Sequence, residues 1–292
     1  MILENSVAEF GELFIHFGNC LEQIRNQAVA ILRHKGARSL PFLEPAMRNG
    51  GRDLRKLVLD VLSGIQTSAA GSIYATALSD LDPNVVITAV ENLGRMRSEE
   101  FRSWIEELLQ AASHPMLIAV CVEALVGIGH ERSLAAIRKR FPNLAAAPDF
   151  FLGSCLKAMA ALGGAAEFEE AASLLPRRAP HLRPAILGAL LAILPRCPTQ
   201  APSAELLKDL QAVAEDGDPP LCRYQAVRVL GFWADRDAVY AFLVSCLSSA
   251  ERLVRLAAAE SIRTAERPGL DGVLAARARE ESDEEVLQAL GC

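Results

Sequence analysis

Residues 82–94 read DPNVVITAVENLG, and the pattern of this stretch returns along almost the whole chain with other residues in the same roles. Asp82 has the short acceptor side chain favoured at a helix N-cap. Pro83 suits the first helical position, where its missing N–H has no partner to lose and its φ is already helical. Val85, Ala89, Asn92 and Leu93 then fall at i, i+4, i+7 and i+8, which gives one mostly apolar face of small residues, and Gly94 is expected to end the helix. After a turn at Met96 and Arg97, Ser98 is placed to cap a second helix whose Phe101, Ile105, Leu108 and Leu109 share one side. The unit is a pair of helices.

With Leu93 as anchor, Leu32, Leu62, Leu125, Leu162, Leu190, Leu230, Ile262 and Leu290 occupy the equivalent place, at intervals of 28 to 40 residues. Four residues before each anchor the chain is apolar and mostly small: Ala28, Val58, Ala89, Cys121, Ala158, Ile186, Ala226, Ala258 and Val286. Helix pairs repeating at this period build a solenoid, in which each repeat buries its apolar face only against its neighbours. Seven residues before the anchor an arginine recurs, as Arg25, Arg55, Arg183, Arg223 and Arg255, with Ile118 and Cys155 interrupting the column.

Residues 218–231, DPPLCRYQAVRVLG, come nearest to a unit of the form D-x-x-V-R-x-x-A-x-x-A-L-G. This pattern resembles the HEAT repeat in the bacterial form known from phycobilisome lyases, and the resemblance covers about residues 20–292. It implies an all-α, right-handed α-solenoid (an α-α superhelix) of about eight HEAT-like helix pairs, read as one domain over 1–292. Within it, 1–19 is expected to be an N-terminal capping helix with Val7, Phe10, Phe14 and Phe17 on one side, 20–281 the eight repeats, and 282–292 a final unpaired helix. Ser282 and Glu285 there form an S-x-x-E capping box.

Composition agrees with helix. Hydrophobic residues are 51% of the chain but aromatics only 5%, and Ala and Leu dominate over β-branched runs. A net charge of −6 speaks against general affinity for nucleic acid, whose phosphates need a basic surface. No apolar run approaches the roughly 18 residues of a membrane span, and the amino terminus lacks the charged region of a secretory signal. A cytoplasmic protein without membrane contact is therefore expected. The seven cysteines include no C-x-x-C pair and are read as free thiols.

Catalytic motifs are missing at the level of spacing. There is no H-E-x-x-H, no phosphate-binding P-loop and no nucleophile elbow. A di-iron HEAT-type hydroxylase needs repeated His-Glu pairs on its helices, and here the one pair is His130-Glu131 in a turn. Helical-repeat DNA glycosylases use exposed aromatics on a basic face, whereas Trp104 and Trp233 both adjoin expected core positions. No metal and no cofactor is expected.

Three groups of residues remain as candidates. The Arg column lies beside the buried seam, where its guanidinium groups should reach acids or carbonyls of the same or the adjacent repeat, with Asp53, Asp218 and Glu251 near these helix starts. Residues 132–196 carry nine Lys or Arg against four acids, and Arg132, Lys139 and Arg140 are expected to face outward, either as a solvated face or toward an acidic segment of a partner. Tyr240 and Val244 give the second helix of the seventh repeat an apolar outer side, which either meets a partner or lies under the Pro-rich loop 195–203. That loop and 142–149 are the two insertions in the array, and they carry function or are tolerated slack.

The reading that follows is a non-catalytic protein–protein interaction scaffold or adaptor that uses the concave face of a HEAT-repeat array. A bilin lyase-like subunit is the alternative, and a HEAT-like DNA glycosylase ranks below it. The register itself is testable. Leu230→Ala should leave a cavity in the seventh repeat and cost about 2–5 kcal/mol in urea unfolding; a loss below about 0.5 kcal/mol, the scale of an ordinary surface substitution, would mean that the anchor is misplaced.

Overall fold

In the computed structural model, residues 22–65, 67–177, 180–215, 219–265 and 267–291 are described, and they contain helices and turns but no strand. The expected capping helix at 1–19, together with Cys20, Arg178, Asp218 and Cys292, lies outside them. The chain divides into two compact units between Arg140 and Phe141. In the first, α1 (Glu22–Lys35) pairs with α2 (Leu40–Asn49), α3 (Arg52–Ser63) with α4 (Gly71–Leu78), α5 (Pro83–Arg95) with α6 (Arg102–Ala111), and α7 (Pro115–Ile128) with α8 (Glu131–Arg140). In the second, α9 (Asp149–Leu162) pairs with α10 (Ala165–Leu174), α11 (Arg183–Ile193) with α12 (Ala204–Glu215), α13 (Pro220–Gly231) with α14 (Asp237–Cys246), and α15 (Arg252–Arg263) with α16 (Leu270–Ala278); α17 (Glu284–Leu290) follows singly.

Each unit is an all-α solenoid held together by its first helices. In the first unit α3 packs on α5 and α5 on α7; in the second α9, α11, α13, α15 and α17 pack in succession. The small residues four before each anchor, from Ala28 to Val286, are all buried, and so are the anchors themselves with one exception. Leu162 is only half-buried because α9 ends there, and Leu152, Leu156 and Met159 fill the core of that repeat instead.

Gly94 does not end its helix. α5 runs through it to Arg95, and a Cβ built on Gly94 would stand 2.6 Å from the Ala124 Cα of α7. One built on Gly127 would stand 2.8 Å from the Gly94 carbonyl oxygen. The glycine after the anchor is therefore the point where two first helices touch backbone to backbone. Gly231 repeats the arrangement, its absent Cβ leaving the space taken by Ser261 of α15. Left-handed glycines do stop first helices at Gly129, with φ of 77° after α7, and at Gly291, with φ of 96° after α17.

Polar groups mark the same seam. The buried Asn92 side chain donates to the Leu59 carbonyl at 2.8 Å, joining α5 to α3. The Asp82 carboxylate caps α5 by accepting from the Asn84 N–H at 2.8 Å, which holds the acid below its usual pKa. α17 is capped by Asp283, which accepts from the N–H groups of Glu285 and Val286, so Ser282 is not the cap. Ser98 makes no side-chain cap either, and a single 3-10 turn over Glu99–Phe101 leads into α6.

The Pro-rich insertion is a packed strap. Arg196 donates to the carbonyls of Ala160 at 2.7 Å and Gly163 at 3.1 Å, satisfying the end of α9. The Gln200 carbonyl accepts from the Trp233 indole N–H at 2.8 Å, and the Gln200 amide reaches Glu169. Trp233 is 5% exposed and meets Phe168 edge-on. What the strap covers is Trp233.

The seam makes a clear demand on Gly94. Gly94→Ala should destabilise the protein by about 1–3 kcal/mol through overpacking, read as a lower urea midpoint at an unchanged m-value. Gly153→Ala is the control: a Cβ there meets nothing within 4 Å, so a neutral or slightly stabilising change is expected in mid-helix.

Candidate functional site

The Arg column is resolved by its partners. Arg55 of α3 makes a bidentate pair with Asp80, at 2.6 and 2.9 Å, and donates to the Gly50 carbonyl at 2.7 Å. Arg255 of α15 repeats this with Glu281, at 2.8 and 3.0 Å, and with the Ser249 carbonyl at 3.0 Å. In both cases the acid stands in the loop that leads to the next first helix, two residues before that helix's capping aspartate. The same acid accepts the N–H of that cap: Asp80 from Asp82, and Glu281 from Asp283. One arginine thus ties the loop before its own helix to the loop before the next.

Arg223 donates to the Ala214 carbonyl at 2.8 Å. Arg183 opens α11, and Arg25 is half-buried on α1. Asp53 is not a partner of this column; it pairs with its neighbour Arg52 on the exposed surface. Glu281, whose side chain is 1% exposed, also receives Arg277 at 3.0 Å. The hydrogen bond from Arg255 outweighs the cost of burial and, with the Ser282 and Asp283 N–H groups, holds the Glu281 carboxyl down at about 2.

The second helices carry the surfaces that these clamps leave free. On α8, Arg132 and Lys139 are exposed, but Arg140 is turned back to donate to the Ala112 carbonyl at 3.0 Å, at the C-terminal end of α6. The three cations expected to act together are therefore split. Arg140 serves the helix end, where a cation is also favoured by the helix dipole. Arg177 is exposed in the turn after α10.

On α14, Tyr240 is half-buried with the Arg267 guanidinium 4.5 Å above its ring, and Arg267 also pairs with Asp237. The cover over Tyr240 is this cation, not the Pro-rich strap. Val244 and Leu247 form one wall of an open groove of about 570 Å³ whose other wall is Gly272, Val273 and Ala276 of α16. A Cβ on Gly272 would meet nothing within 4 Å, so the absence of a side chain there leaves the groove open.

A second groove, of about 430 Å³, lies in the first unit, with Ala69, Gly71, Ser72 and Ala75 against Glu100, Phe101 and Trp104. Trp104 is 47% exposed, although it adjoins the buried Ile105 and reads as core-flanking in the sequence. It packs edge-on against Phe101, which in turn meets Tyr74. The signal that separates it from Trp233 is helical phase: Trp104 falls one position off the Phe101–Ile105–Leu109 face.

Burial pushes the Cys121 and Cys155 thiols up to about 12 and that of Cys246 to about 11. His130 faces Glu99 and His181 faces Asp149, each at 3.6 Å. Among the described residues no three His, Cys, Asp or Glu side chains are grouped so as to hold a metal ion.

Comparison with known proteins gives the fold. No protein-family model and no curated protein sequence matches the chain. Among solved structures, Kap121p, in a mutant form, is similar with a TM-score of 0.54 at 13% identity over 97% of this chain, which spans only 37% of that one. Human deoxyhypusine hydroxylase in complex with glycerol is also similar, at 19% identity and a TM-score of 0.37, over 90% of this chain and 96% of that one. The all-helical architecture, together with the likeness to Kap121p, defines an all-α solenoid.

The Arg255–Glu281 clamp generates a pH dependence. The folded carboxyl sits near 2 against an ordinary 4.5, so its contribution to stability is complete above about pH 4.5 and is lost as the pH falls toward 2. Urea midpoints should fall across that window. Glu281→Gln should cost roughly 3 kcal/mol at pH 7 and flatten the acid slope; an unchanged slope would show that Glu281 does not carry it.

Proposed function

We propose that the chain is a non-catalytic scaffold that binds another protein through the outer face of its second helices, acting in the cytoplasm. The observation that carries this reading is the open groove between α14 and α16, flanked by Val244 and kept clear by Gly272. Apolar walls with a charged rim, here Arg277 and Glu280, suit a partner's side chains better than bulk water. Two further features support it. Arg132 and Lys139 stand exposed on α8, where an acidic segment would find unshielded cations. No helix among the described residues is long and apolar enough to cross a membrane.

The Arg-bearing pattern at 218–231 favours the bacterial lyase type of HEAT repeat, and for that reason a bilin lyase-like subunit is the second reading. Two experiments separate them. Affinity capture from host lysate with the wild-type chain, Val244→Arg and Lys139→Glu, each checked for an unchanged melting curve, should retain a protein that is lost from one variant. A partner held equally by all three would remove these surfaces from the function. Transfer of a bilin by the chain to an acceptor protein would establish the lyase reading instead.

A further inference from the structure

The groove beside Trp104 has a chemistry different from the one beside Val244. Its floor comes from the 3-10 turn before α4 and from α4 itself, where Ala69, Gly71, Ser72 and Ala75 present small side chains or none. A Cβ on Gly71 would have only the Glu100 carboxylate and the Phe101 ring within 4 Å, at 3.7 and 3.8 Å. One wall is the Trp104 indole, fixed by its edge contact with Phe101 at 6.5 Å between centroids. Glu100, exposed in the 3-10 turn before α6, lines the groove beside Trp104.

Charge selects what can enter. Residues 64–82, which supply the floor, contain no Lys or Arg. In residues 98–111, which supply the wall, the one Arg is Arg102, paired with Glu106 at 2.7 Å. Glu99 faces His130 at 3.6 Å. Glu100 has no cationic partner among the described residues. The groove thus joins an exposed indole face, one uncompensated carboxylate and a floor too small to fill the space.

We infer that this groove binds the Lys or Arg side chain of a basic peptide segment in a partner protein. The cation lies over the Trp104 ring, Glu100 supplies the counter-charge, and the aliphatic stem runs along Ala69, Ser72 and Ala75. Indole is the ring that attracts cations most strongly, and a long basic side chain buries its stem while its head stays charged. The inference rests on the protein-binding reading and assigns it a second surface with chemistry opposite to that of α8.

The test uses the full chain labelled with 5-fluorotryptophan. It has two tryptophans, of which Trp233 is buried, and Trp104→Phe assigns the other resonance. Short capped peptides that differ only at one central residue, Arg, Lys, citrulline or Glu, are titrated to millimolar concentration. The Trp104 signal should shift with the Arg and Lys peptides, not with citrulline or Glu, and salt should weaken the effect. Glu100→Gln, an exposed change that should leave the fold intact, should weaken binding by roughly fivefold or more.

A Trp104 signal unmoved by the Arg and Lys peptides, or moved equally by citrulline, overturns the inference. So does undiminished affinity in a folded Glu100→Gln chain. If partner capture still depends on Val244 or Lys139 in that event, the scaffold reading stands and only the Trp104 site falls. If capture fails as well, both fall.

Discussion

The approach of one first helix to the next is the constraint on which the rest of each unit depends. A repeat of two short helices cannot enclose a core, so its apolar face must be buried by the neighbouring repeat. That burial is effective only at close packing, because a gap of even a methyl group forfeits dispersion contacts on both sides. Hence the contact at Gly94 and Ala124 is backbone on backbone, and the position four before each anchor is mostly Ala or another small residue. Asn92 is tolerated in this seam because its amide donates to the Leu59 carbonyl, so the desolvation of one polar group is met by a bond across the helix pair.

Close packing alone does not fix how each repeat is set against the next along the seam. The arginine clamps supply that information. Arg55 and Arg255 each hold a carbonyl from the preceding loop and a carboxylate from the following one, in bidentate geometry that tolerates little rotation. The carboxylate also takes the N–H of the next helix's capping aspartate, so helix start and repeat orientation are set by one group. Taking such a pair out of water offsets much of its Coulomb attraction, so its net stabilisation is modest while removal of one partner is costly. A clamp of this kind contributes register more than stability.

Much of this was legible in residues 82–94 and their echoes. Anchors, caps at Asp82 and the helix-pair period depend on local propensity and hydrophobic phase, which a sequence displays directly. What the sequence hid depends on neighbours distant in the chain. Gly94 looks like a helix stop because glycine usually serves that purpose, yet its role is set by Ala124, a repeat away. Asp80 and Glu281 were not singled out as the partners of Arg55 and Arg255, because the pairing spans the length of a repeat, and Asp53 lay closer in sequence. Arg140 reads as outward from its helical phase, but a long side chain can turn back, and the Ala112 carbonyl offered it a bond. Trp104 reads as flanking the core because it adjoins Ile105, yet it is 47% exposed. One position of helical rotation, about 100°, is enough to move a side chain from seam to surface.

The second helices are free of these demands, and that freedom shapes the candidate surfaces. First helices must keep small residues facing one another, so their sequences are pinned; second helices pack less extensively on each other, especially in the second unit, and can leave space between them. Both grooves use it in the same way, setting small residues of one second helix opposite larger ones of its neighbour: Ser72 and Ala75 opposite Trp104, and Gly272 and Ala276 opposite Val244. A floor without side chains costs the fold little, since the buried seam lies on the other side of each helix. It leaves a recess whose selectivity is then set by one or two residues on the rim. The carboxylate of Glu100 gives one recess an acidic rim, whereas the rim of the other holds Arg277 and Glu280 together. The chemistry of each recess is thus set by its rim residues, while the recess itself follows from the helical repeat.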